Sequence, residues 1–182
     1  MIKSVCRSAI LPLLASVPFV SEVPSAFAAD GDQQFFQNVR GEWSGPGEIV
    51  AGKYKGTKFT CSLTGDTPSG KVGMALEGSC RVGLFSQKMS ARIERKGRSY
   101  KGTFLDGSGG EGLDIISGNV SKSKVVMALN RNDLNGAMLA SLKGDNTMSV
   151  TVSVRVNKEL VPVIGMNLKR VDTAAVGAIA RD

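Results

Sequence analysis

Three cysteines (Cys6, Cys61 and Cys80), sixteen acidic residues, two tyrosines and seven methionines are the side chains here that could hold a metal, move a proton or attack a carbonyl. There is no histidine. Its absence removes Ser-His-Asp and Cys-His nucleophilic catalysis and any histidine zinc site. Two thiolates alone do not fill a tetrahedral zinc shell. The acidic residues are scattered, and no spacing marks out a catalytic carboxylate pair. Asp106, Ser108 and Glu111 lie among Gly107, Gly109 and Gly110, oxygen ligands beside glycines, but the full ligand spacing of a calcium loop is missing. The same glycines make no phosphate loop, because no Lys-Ser/Thr and helix follow. The run reads as a glycine-rich hairpin loop. On residue types, then, the expectation is a protein that is not an enzyme, with no metal and no cofactor.

What remains for Cys61 and Cys80 is each other. Their reading depends on the elements that carry them, and from residue 41 to 171 the apolar period is two. Residues 148–156 alternate Met148, Val150, Val152, Val154 and Val156 with Ser149, Thr151, Ser153 and Arg155, a strand with one face inward and one in water. Phe59-Cys61-Leu63, Met74-Leu76-Cys80-Val82-Leu84, Met89-Ala91-Ile93, Val125-Met127-Leu129 and Ile164-Met166-Leu168 follow the same rule, and Tyr100 and Phe104 bracket Gly102 on one face. Turn residues separate the runs at 66–70, 96–97, 106–110, 130–135 and 143–146. About ten strands result, with one short helical segment at 33–39. Ten antiparallel strands leave two exposed edges unless the sheet closes, so the expectation is an all-β, up-and-down barrel, with a β-sandwich as the alternative. If the 68–70 turn joins their strands, Cys61 and Cys80 lie on one face near-opposite each other, within disulfide reach.

The first thirty residues differ. Lys3 and Arg7 give a positive start; residues 9–20 are apolar apart from Ser16; Ala26-Phe27-Ala28 follows. That order is the layout of an export leader, and its apolar core is too short to span a bilayer. Residues 1–28 are expected to be removed, with 29–171 the barrel and 172–182 a loose tail. Cys6 precedes the apolar core, so it cannot be a lipidated cleavage-point cysteine. Cleavage removes Lys3, Arg7 and Glu22, lowering the net charge of +7 by one. The expected location is the periplasm, or outside the cell, where two cysteines pair. Nucleic acid is then not a partner, and no transmembrane segment remains in the mature chain. The densest basic cluster is Arg92, Arg95, Lys96, Arg98 and Lys101 around the Lys96-Gly97 turn. It reads as a solvated hairpin tip that could also meet phosphate-bearing envelope lipids.

The first strand reads Arg40-Gly41-Glu42-Trp43-Ser44-Gly45-Pro46-Gly47 after Phe35-Phe36-Gln37-Asn38-Val39. A helical turn followed by G-x-W resembles the opening of calycin-type (lipocalin and nitrobindin-like) barrels, and the G-x-W-x-G-x-G form is similar to the ten-stranded nitrobindin-like branch. The resemblance implies that Trp43 packs at the closed end of the barrel with a basic residue of the last strand, here Arg170, lying across it. A guanidinium stacks on an indole while keeping its hydrogen-bonding edge free. Nitrobindin-like proteins bind haem through a histidine; with none here, haem is not carried over. Tyr54, Tyr100 or a methionine could ligate iron in principle, but methionine is more often core filler.

The functional expectation is a non-catalytic binding protein whose interior takes a small apolar or amphipathic ligand, lined by Tyr100, Phe104, Met74, Met89 and Met127. Small inward neighbours (Gly73 or Gly78, Ala91, Gly102) leave room beside the methionines. The alternative is a protein–protein role in the cell envelope, either structural or as in periplasmic lipocalin-like protease inhibitors, which act through an extended N-terminal segment. Here only residues 29–34 precede Phe35.

Overall fold

The computed structural model describes residues 26–105 and 112–171. Residues 1–25 of the expected 1–28 leader, the 106–111 run with its calcium-like oxygens and the expected 172–182 tail lie outside the described residues. One helix, α1 (Ala26–Val39), leads into ten strands: β1 (Gly41–Ile49), β2 (Lys58–Asp66), β3 (Gly73–Val82), β4 (Phe85–Lys96), β5 (Ser99–Leu105), β6 (Leu113–Val120), β7 (Lys124–Arg131), β8 (Leu134–Lys143), β9 (Thr147–Val156) and β10 (Glu159–Arg170). Each strand pairs antiparallel with its sequence neighbours, and β10 returns to pair with β1. The barrel is closed and has no free edge, as expected, and the β-sandwich alternative falls away.

Alternating strand direction sorts the connections into two ends. The helix, the starts of the odd-numbered strands and the ends of the even-numbered ones share one end. The ends of the odd-numbered strands and the starts of the even-numbered ones, with the β1–β2, β3–β4, β7–β8 and β9–β10 connections, share the other. Five of the seven largest fully buried side chains, Phe35, Phe36, Trp43, Met127 and Leu168, lie toward the helix end; Cys61 and Ile115 are the others. Proline is tolerated in β10 because the register shifts between Pro162 and Ile164, a bulge that excuses the missing N–H.

Three local expectations shift. The helix is longer than 33–39 and begins at Ala26. The alternation through Val82 and Leu84 is not one strand: β3 ends at Val82, Gly83 takes φ +57°, and Phe85 opens β4 opposite Val82. The 130–135 turn shrinks to Asn132 and Asp133, with Asn132 in the left-handed region at φ +51°.

Candidate functional site

The helix closes one end of the barrel with an apolar face of Phe35, Phe36 and Val39, all buried. The rings of Phe35 and Phe36 meet edge-on at 5.6 Å, and Phe36 packs against Tyr100 at 5.6 Å. Polar groups fasten both halves of this helix. The Tyr100 hydroxyl donates to Asp32 Oδ2 at 2.6 Å, and Arg95 Nη1 lies 3.7 Å from the same oxygen. Burial pushes the Tyr100 hydroxyl well above its ordinary pKa, and the hydrogen bond to Asp32 and its negative charge add to the shift.

The C-terminal half is held by the pair that the resemblance implied. Trp43 faces Arg170 across β1 and β10, and the guanidinium lies 4.4 Å from the ring centroid. The indole N–H donates to Val39 O at 2.8 Å. Arg170 donates through Nη2 to Asn38 O at 2.6 Å, through Nη1 to Arg40 O and through Nε to Asp145 O at 2.9 Å. The last carbonyls of a helix have no partner within it. Here an indole and a guanidinium supply the donors, and the positive charge meets the negative end of the helix dipole. Gly41 follows at φ +106°, where a Cβ would press on Arg170 Nη1. The glycine and the tryptophan of G-x-W therefore serve one joint, the helix-to-barrel corner.

Inside, a cavity of about 70 Å³ rests on the helix. Its floor includes Phe35 and Val39, with Leu63 and Leu168 beside them, and Trp43 does not reach it. Five of the seven methionines line it, Met74, Met89, Met138, Met148 and Met166. Phe104, Ala91 and Ala140 complete part of the wall, and every lining side chain is apolar or sulfur-bearing. Cys61 and Cys80 are direct cross-strand partners with Cα atoms 4.0 Å apart and form a disulfide. Cys80 reaches the cavity wall, and the thioethers of Met89 and Met166 lie 2.9 and 3.9 Å from the two sulfurs.

Of the five residues expected to line the interior, Met74, Met89 and Phe104 do so. Tyr100 and Met127 are buried but lie outside the cavity. Tyr100 is turned to the helix, and Met127 packs into the space left by Gly118, where an added Cβ would collide with its sulfur. Gly102 leaves no interior room either: a Cβ there would run into the Arg92 carbonyl on β4. Residue order missed Met138 and Ala140 of β8 and the helix floor, and it put Met166 of β10 on an alternating strand face without counting it among the ligand-lining residues. The basic cluster around Lys96 is largely engaged. Arg95 faces Asp32, Lys96 pairs with Glu94, and Arg92 lies 3.7 Å from Glu77. Lys71 and Lys96 together hold the Glu94 carboxyl down at about 2. Among the described residues no group of three or more metal-ligating side chains converges, and no helix is long and apolar enough to cross a membrane.

No protein-family model matches the chain, and no curated protein matches it in sequence. Among solved structures it is similar in fold to Rv2717c from M. tuberculosis. The TM-score is 0.54 at 14% identity, over 78% of this chain and 98% of that one. A DUF3598-family protein of unknown function from Nostoc punctiforme aligns with a TM-score of 0.48 at 12% identity, over 75% of this chain and 49% of that chain. What these findings establish is the fold: a ten-stranded antiparallel barrel.

Proposed function

We propose that the chain is a calycin-like, non-catalytic binding protein of the cell envelope, exported to the periplasm, whose barrel takes a small apolar or amphipathic ligand such as an acyl chain. The observation that carries this reading is the cavity above the helix, with its wholly apolar wall rich in methionine. Apolar concavities are where small ligands lodge. The cavity is narrow as it stands, and methionine's three rotatable bonds and soft sulfur let the wall move aside without a change of fold. Trp43 and Arg170 form the base joint in this reading and touch no ligand.

Ala91 is buried on the cavity wall. Ala91→Leu fills the cavity from a strand position, at an overpacking cost of about 1–3 kcal/mol. An environment-sensitive fatty-acid probe is expected to bind the native chain and to lose at least about tenfold in affinity with Ala91→Leu while the circular dichroism is retained. Native mass spectrometry of the purified chain is expected to show an apolar adduct. A native chain that takes up no apolar probe and carries no adduct would sink the reading, leaving a solid β-domain that works through its surface on a protein partner.

A further inference from the structure

The end of the barrel opposite the helix is chemically divided. On it the β9–β10, β1–β2 and β3–β4 connections are adjacent, because β10 pairs with β1 and β2 with β3. Leu84 at the β3–β4 turn is 99% exposed and Phe85 82% exposed. Tyr54 in the β1–β2 connection, Val82, Val156 and Leu160 are exposed in the same sector. Large apolar side chains grouped at one rim, and left in water, mark a surface that meets something.

The charges of that sector indicate what. Lys53, Lys55 and Lys58 belong to the β1–β2 side, Arg81 precedes the β3–β4 turn, Arg155 precedes the β9–β10 turn and Lys158 lies in it. Glu48 and Glu159 are the acidic residues among them. The rest of the same end is mixed in charge: Asp114 and Asp133 stand there with Arg131, whose Nε donates to Gly112 O at 3.3 Å. Lys53 Nζ lies 5.5 Å from the Tyr54 ring centroid, so cation and apolar surface are mixed within one loop.

We infer that this sector of the rim docks on an anionic lipid surface, with Leu84 and Phe85 entering the interface and the flanking lysines and arginines facing lipid phosphates. Apolar insertion and attraction to anionic head groups are the two forces that hold a protein at a bilayer face. The inference goes beyond ligand binding and stands whether or not the cavity is filled. It also moves the lipid-facing role away from the Lys96 hairpin, where Arg95 and Lys96 are engaged in ion pairs at the helix end.

The test places a reporter at the tip. Phe85→Trp is made in the full chain, and the signal of Trp43 is subtracted using the parent chain. Vesicles of brominated phosphatidylglycerol are expected to blue-shift and quench the introduced tryptophan, and brominated phosphatidylcholine vesicles to leave it unchanged. Raising the salt to about 0.5 M weakens the response, because the screening length shortens. The triple variant Lys53→Gln, Lys55→Gln, Lys58→Gln in the same background is expected to lower affinity for anionic vesicles by about tenfold or more. Leu84→Ser is expected to reduce the blue shift. The apolar N-terminal segment could itself bind vesicles, but it leaves the tip reporter unquenched. An unquenched reporter on anionic vesicles, equal quenching on neutral ones, or a reporter that responds only to a protein partner overturns the inference. Probe binding in the cavity, measured on the same sample, reports separately on the ligand-binding reading.

Discussion

Arg170 is the residue whose weight changes most once its surroundings are visible. As a stacked cation it would contribute about 0.5–1 kcal/mol. It also donates to three main-chain carbonyls, two of them at the end of the helix, and each charged hydrogen bond adds a share of its own. Arg170→Ala is therefore expected to cost about 2 kcal/mol, to lower the Tm by about 5 °C or more, and to shift Trp43 emission. Arg170→Lys keeps the charge but loses the planar fork, so it is expected to recover little of that loss. An unchanged melt and spectrum for Arg170→Ala would show that the joint does not hold the helix. The pair was legible in residue order because strand parity and the G-x-W opening both point to it. Tyr100 and Met127 show the limit of parity. It tells which face of the sheet a side chain takes, but not its level along the barrel axis, and level decides between the packed base and the cavity.

At the scale of elements, the helix and β5 are coupled through Tyr100 and Asp32. The folded chain keeps the Tyr100 proton to a higher pH than the unfolded chain, whose tyrosine has the ordinary value of 10.0. The stability this proton lends is complete below about pH 10 and is lost as the pH rises above it. Tyr100→Phe is expected to cost about 1 kcal/mol at neutral pH. It should also flatten the fall in melting temperature between about pH 10 and 11. Parallel alkaline profiles for the two proteins would argue that the hydroxyl is not sequestered. The helix itself was half legible. Phe35, Phe36 and Val39 marked it, but Ala26 to Ala29 serve equally as a leader's cleavage run and as helix formers. Leu84 was misplaced because an apolar turn residue extends the alternation by one step past the strand end: the two-residue turn pairs Val82 with Phe85, so the inward face switches from even positions in β3 to odd positions in β4. The β6 alternation is interrupted by a register shift between Ile115 and Ser117, and β8 carries Gly136, Ala137 and Ala140 where larger side chains would have announced a strand.

For the whole molecule, about ten antiparallel strands was the most legible property, and closure, expected ahead of a β-sandwich, is what leaves them with no free edge. The disulfide ties neighbouring strands β2 and β3 across a separation of 19 residues. Its loop-closure contribution is about 3 kcal/mol, and the paired change Cys61→Ala, Cys80→Ala is expected to lose roughly that much. Thiol titration of the unfolded, unreduced chain should count Cys6 alone where the leader is retained, and no thiol where it has been removed. Three reactive thiols would contradict the bridge. The pairing of β1 with β10 also sets an order of events in time. Trp43 is made early and Arg170 about 127 positions later, and until then the helix end has no guanidinium and the first strand no outer neighbour. Contacts this distant in sequence are slow to form. A chain emerging N-terminus first therefore stays unclosed until nearly its last strand arrives. If the chain is exported, as proposed, late closure is a delay that keeps the thread open.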